Sequence, residues 1–75
     1  MRVTVKAFAT LYKYLPPDAG NHEVPDGTTA GALADGLGIP RKDLHLIFVN
    51  SVRAEPDQAL RDGDRVGFFP AVGGG

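Results

Sequence analysis

Apolar and polar residues alternate from the start of the chain. In "RVTVKAF", Val3, Val5 and Ala7 fall on one side, while Arg2, Thr4 and Lys6 fall on the other, which predicts a half-buried strand. The prolines and turn-formers from Pro16 to Gly20 interrupt the pattern, and "NHEV" then reads as a short return strand. After "PDG" the period changes. Ala30, Leu33, Ala34 and Leu37 recur at i, i+3, i+4 and i+7, so a helix follows, capped by Thr28 or Thr29 and stopped by Gly38 and Pro40. Gly31 and Gly36 each weaken that helix by about 1 kcal/mol relative to alanine, so it depends on tertiary support.

Past the turn "RKD", the run "LHLIFV" predicts a buried strand, with a bend from Asn50 into the short strand "SVRAE". "PDQALRDGD" reads as a loop holding a 3₁₀ turn near Ala59 and Leu60. "RVGFF" closes the pattern, with Val66 and Phe68 on one side and Arg65, Gly67 and Phe69 on the other. Five strand segments and one helix suit an α+β fold, a β-grasp: a mixed sheet covered on one face, its first and last strands central neighbours. The same parity turns Phe8 and Phe69 together onto the helix-free face. The expected organisation is a globular domain over 1–69 and a flexible glycine tail over 70–75.

Composition removes several kinds of chemistry. A chain of 75 residues is one domain, and a domain of that size buries only about 60% of its unfolded surface. It contains no cysteine, which excludes disulfides, thiolate catalysis and cysteine-bound zinc. The net charge is −1 and its signs are interspersed, arguing against a nucleic-acid partner. No apolar stretch reaches bilayer length, so no membrane partner and a cytoplasmic location are expected. His22 and His45 have no third ligand at metal-site spacing. Asp62, Gly63 and Asp64 lack the ligand ladder of a calcium loop and suit a tight turn. Gly36 and Gly38 do not form a nucleotide fingerprint. No serine or threonine has a base and orienter beside it in a recognisable motif.

What is left is "FPAVGGG". Without Cβ atoms, Gly73, Gly74 and Gly75 form a thin arm that can enter a narrow channel. Extended from Pro70, that arm reaches roughly 20 Å at ~3.3–3.6 Å per residue, enough to place the Gly75 carboxylate in a partner's active site.

The motifs of this region resemble those of the ubiquitin-like sulfur carriers, and most closely the small subunit of molybdopterin synthase. The resemblance rests on Val49-Asn50, on Asp62-Gly63-Asp64 with Val66, on Phe68-Phe69-Pro70, on Val72 and on Gly74-Gly75, with "FATL" at Phe8 to Leu11 matching the end of the first strand. It implies that Gly75 is adenylated and then converted to a thiocarboxylate, with Gly74 needed for passage. Phe8, Phe69, Pro70, Val72 and Gly73 would contact partners. The chain would be a carrier and not an enzyme, binding no cofactor or metal itself; ATP would be used by an adenylating, ubiquitin-activating-like partner. The other implied partners are a sulfur donor protein and a synthase large subunit. Carriers for thiamine or amino-acid biosynthesis share the fold and tail, as do covalent protein modifiers.

Overall fold

The computed structural model describes residues 1–71. Val72, Gly73, Gly74 and Gly75, and the expectation of a flexible tail there, lie outside the described residues. Five strands form one sheet in the order β2-β1-β5-β3-β4. They are β1 (Arg2–Ala7), β2 (His22–Glu23), β3 (Leu46–Val49), β4 (Val52–Ala54) and β5 (Arg65–Phe69), and the helix α1 is Ala30–Gly36. β1 runs parallel to β5, pairing Thr4 with Arg65 and Lys6 with Gly67. β3 runs antiparallel to β5 and to β4. The first and last strands are therefore neighbours inside a β-grasp sheet, as the element order requires. Strand parity sends Val3, Val5, Ala7, Ile47, Val49, Val66 and Phe68 into the core, where Ala30, Leu33 and Ala34 of α1 meet them.

The helix is short, and its ends are specified by identifiable groups. Thr29 Oγ1 accepts the Ala32 N–H at 3.1 Å. The Ala30 and Gly31 N–H groups donate to the Gln58 and Pro56 carbonyls at 2.9 and 2.7 Å. Three amides that a helix start leaves without partners are thereby satisfied. At the other end Gly38, at φ +85°, donates to the Asp35 carbonyl while Ile39 donates to Ala34, both at 3.0 Å. This is a Schellman ending, which places the buried Ile39 under the last turn. Leu37, expected on the apolar face, is the C-cap and only half-buried.

The loop before β5 differs from expectation. No 3₁₀ turn forms at Ala59 and Leu60: Ala59 bridges Thr29, and the Leu60 N–H donates to the Thr28 carbonyl at 2.9 Å. Ala59 and Leu60 are held extended along Thr28 and Thr29, just after the Pro56 and Gln58 carbonyls that cap α1. The approach of this segment helps explain Gly31, where an added Cβ would lie 3.0 Å from both the Pro56 carbonyl oxygen and Cβ and 2.6 Å from the movable Arg41 Nη2. 3₁₀ turns occur instead at Ala9–Tyr14, Ala19–Asn21 and Arg41–Asp43. The first of these begins at Ala9, at φ +53°, and seats the buried Leu11. "LHLIFV" is a strand only from Leu46, and only alternate residues are buried.

Candidate functional site: the helix-free face of the sheet

Of the tail expected to begin at residue 70, Pro70 is buried. Ala71 is exposed, and the other four tail positions lie outside the described residues.

Phe8 and Phe69 meet on the open face as parity demands. Phe8 is 40% exposed, and its N–H donates to the Phe68 carbonyl at 3.1 Å, prolonging the β1–β5 pairing by one residue. The two rings stack with centroids 4.3 Å apart and planes 9° from parallel. A third aromatic joins them that sequence reasoning missed. Phe48 of β3 sets its ring edge-on to Phe69, with centroids 5.4 Å apart and planes at 75°. The sequence held no signal for it, because Leu46, Ile47, Phe48 and Val49 are all apolar; β3 has the same two-sided parity as its neighbours, which turns Phe48 outward.

Gly67 lies between these rings in sequence and space. It pairs with Lys6 on one side and Phe48 on the other, and a Cβ there would sit 3.5 Å from both the Phe8 and Phe69 rings. The missing side chain leaves an open depression of about 370 Å³, lined by Lys6, Phe8, Phe48, Ser51, Arg65 and Phe69 around the glycine.

The Val49-Asn50 and Asp62-Gly63-Asp64 motifs come together at one end of this face. Asn50 and Ser51 adopt φ +52° and +71°, the left-handed pair that a two-residue hairpin requires between β3 and β4. Asn50 Nδ2 donates to Asp64 Oδ1, and Asn50 Oδ1 accepts from the Arg65 N–H, both at 2.9 Å. Asp62 accepts the Arg2 N–H at 2.8 Å, and the Gly63 N–H donates to the Arg2 carbonyl at 2.7 Å. These motif residues join β1, β3 and β5, so their role in this structure is to fix strand register.

The remaining polar groups lie away from the aromatics. His22 Nδ1 is 2.8 Å from Asp18 Oδ1, and that contact holds the Asp18 carboxyl below the usual aspartate range. The Arg41 fork on Asp35, at 2.8 and 3.1 Å, lowers the Asp35 pKa and raises that of Arg41. Among the described residues no group of three metal-ligating side chains converges, and no helix is long and apolar enough to cross a membrane. The face offers an apolar surface.

The ThiS family profile matches residues 5–75. No curated protein matches the chain. Among solved structures, a putative molybdopterin converting factor, subunit 1, from Pyrococcus furiosus is 27% identical with a TM-score of 0.70, over 96% of this chain and 99% of that one. SAMP1 from Haloferax volcanii covers 100% of both chains at 22% identity and a TM-score of 0.73. A second structure of this Haloferax modifier, at 20% identity and a TM-score of 0.69, covers 95% of this chain and 98% of the other. The two modifier structures show likeness of fold.

Proposed function

The chain belongs to the ThiS family, and from that premise we propose that it is a sulfur carrier whose Gly75 carboxylate is adenylated and converted to a thiocarboxylate for molybdopterin synthesis. The observation that carries the reading is the family match, which runs through Gly74 and Gly75. The molybdopterin branch draws support from the Pyrococcus converting-factor subunit and from the Phe8-to-Leu11 and Phe68-to-Pro70 motifs.

In the proposed cycle the Gly75 carboxylate attacks the α-phosphorus of ATP on an adenylating partner, and pyrophosphate leaves. Sulfur delivered at the sulfide level by a donor protein attacks the acyl carbon. AMP departs with the C–O electron pair, and a C–S bond replaces it. The sulfur then rides on the carbonyl carbon, which a chain without cysteine needs for sulfur transport. Nucleotide and catalytic side chains belong to the partners: the adenylating enzyme and the synthase large subunit. The carrier supplies a docking face, the Phe8, Phe48 and Phe69 cluster, and a narrow arm. Gly74→Ala places a methyl where a tunnel would admit only backbone, so it is expected to block thiocarboxylate formation or delivery without altering the fold.

Intact mass spectrometry of the protein from its native cell tests the reading. One oxygen exchanged for sulfur at Gly75 is the expected result. A lysine-linked conjugate would replace the carrier with a covalent modifier, and a plain carboxylate under sulfur-replete growth would contradict both.

A further inference from the structure

The sheet has two outer strands, β2 and β4, and they differ in what they leave unmatched. On β2 the outward charge is already paired, because Arg2 holds Glu23 at 3.4 Å. β4 has no such arrangement. In β3 the Asn50 N–H donates to the Arg65 carbonyl of β5, so by strand parity the backbone groups of Phe48 also face β5. Phe48 stands opposite Arg53, and the N–H and C=O of Arg53 are therefore turned to the free edge of the sheet. Arg53 and Glu55, two residues apart on that edge, are both exposed and make no ion pair among the described residues. Val52 beside them is 68% exposed.

We infer that the β4 edge is a self-pairing site: a second copy of the chain adds its own β4, antiparallel, about a two-fold axis at Ala54. In that register Arg53 stands opposite Glu55 of the second copy, and Glu55 stands opposite its Arg53. Side chains directly opposed on one face have Cβ atoms about 4.5–5.5 Å apart, so a single two-fold operation makes two ion pairs. The backbone agrees with the charges. The Glu55 N–H meets the Arg53 carbonyl of the second copy. The Arg53 N–H meets the Glu55 carbonyl, which keeps one lone pair free beside the one taken by the Gln58 N–H at 3.1 Å. A register centred on Arg53 would set the cation against itself, which selects the one centred on Ala54. An unrelated acidic strand would satisfy Arg53 and leave Glu55 opposed, whereas the second copy satisfies both. The contact spans only Val52 to Glu55, which places it among the weak interfaces under about 1,200 Å². β4 runs parallel to β5 within the chain, so the two-fold reverses β5 and sets the two Phe69 residues at opposite ends of the joined sheet. The inference stands apart from the carrier reading, because no step at Gly75 enters it.

Sedimentation equilibrium of the full chain, from dilute to millimolar concentration at low salt, reads the average mass. The wild type is expected to rise toward twice the chain mass and to fall back when sodium chloride is added. Arg53→Glu alone and Glu55→Arg alone each set like charges opposite one another, and each is expected to weaken association at least about tenfold. Mixed in equal amounts, the two variants carry opposite charges at both pairs, so the mixture should recover association. That recovery separates lost pairing from lost folding, as does an unchanged melting temperature of each variant in dilute solution. Lys42→Glu, an exposed lysine beyond α1, is the charge control and should associate as wild type. A wild type that stays at the mass of one chain, single variants that associate like it, a mixture that stays monomeric, or a mass that climbs past two chains would each overturn the proposal.

Discussion

The two faces of this sheet are both apolar at their centres, yet only one is closed. On the inner face Val5, Ile47, Val66 and Phe68 meet α1 and are lost from solvent. On the outer face Phe8, Phe48 and Phe69 cover one another around a glycine, and no element of the described chain lies over them. Buried apolar area stabilises a fold roughly in proportion to what is removed from water. Rings left half in water contribute less to the monomer and retain more to gain from a partner. The difference separates residues that close the domain from residues whose apolar surface stays open.

Two substitutions one residue apart break the comparison most strongly. Phe68, 0% exposed, lies at the middle of the inner face, and Phe68→Ala should cost about 3–5 kcal/mol, seen as loss of the cooperative melt near ambient temperature. Phe69→Ala removes a stack and an edge contact but no core packing, so about 1 kcal/mol of stability is expected to go. Affinity for the adenylating partner should instead fall by a hot-spot amount, roughly 2 kcal/mol, in a calorimetric titration. A large melting shift with unchanged affinity would return Phe69 to the core.

Two glycines in one helix sharpen the same point for α1. Gly31→Ala drives a Cβ to 3.0 Å from the Pro56 carbonyl, and a net loss of about 1–2 kcal/mol is expected despite the gain in helix propensity. Gly36 is exposed with nothing within 4 Å of its missing Cβ, so Gly36→Ala should stabilise by about 0.5–1 kcal/mol. Denaturant melts of the pair measure both. Equal signs would mean that the Pro56 loop yields and does not clamp the helix.

The smallest effect is electrostatic and belongs to the periphery. The hydrogen bond from Arg41 depresses the Asp35 pKa, so its contribution is present above the ordinary aspartate range and is lost as pH falls through the lower folded value. Asp35→Asn should lower the melting temperature slightly at neutral pH and not at all in strong acid. Both partners are exposed, so added salt should shrink the neutral-pH difference. A difference that persists in acid would assign it to packing.

Much of this architecture was legible in the chain because period and parity are local. Alternation alone placed Phe8 and Phe69 outward, and two apolar helical turns marked α1. Other features depended on contacts distant in sequence. Gly31 reads as a helix weakener until Pro56 arrives beside it, and the loop at Ala59 straightens along Thr28 and Thr29, some thirty residues earlier. Ala9 carries a left-handed φ with no glycine to announce it, so the 3₁₀ turn over Ala9–Tyr14 left no mark in the pattern. Phe48 was hidden because four consecutive apolar residues look the same whether a strand is buried on one face or two. Lys6 and Arg65 are far apart in the chain and reach the edge of one depression only through the β1–β5 pairing.

The division between the faces is tested most directly by nuclear magnetic resonance of the labelled full chain, titrated with the unlabelled adenylating enzyme. The account predicts that the amide signals of Lys6, Phe8, Phe48, Gly67 and Phe69 shift or broaden first, while those of Ala32, Asp35 and Gly36 on the exposed side of α1 stay in place. Perturbation centred on α1, with the aromatic face unchanged, would contradict it.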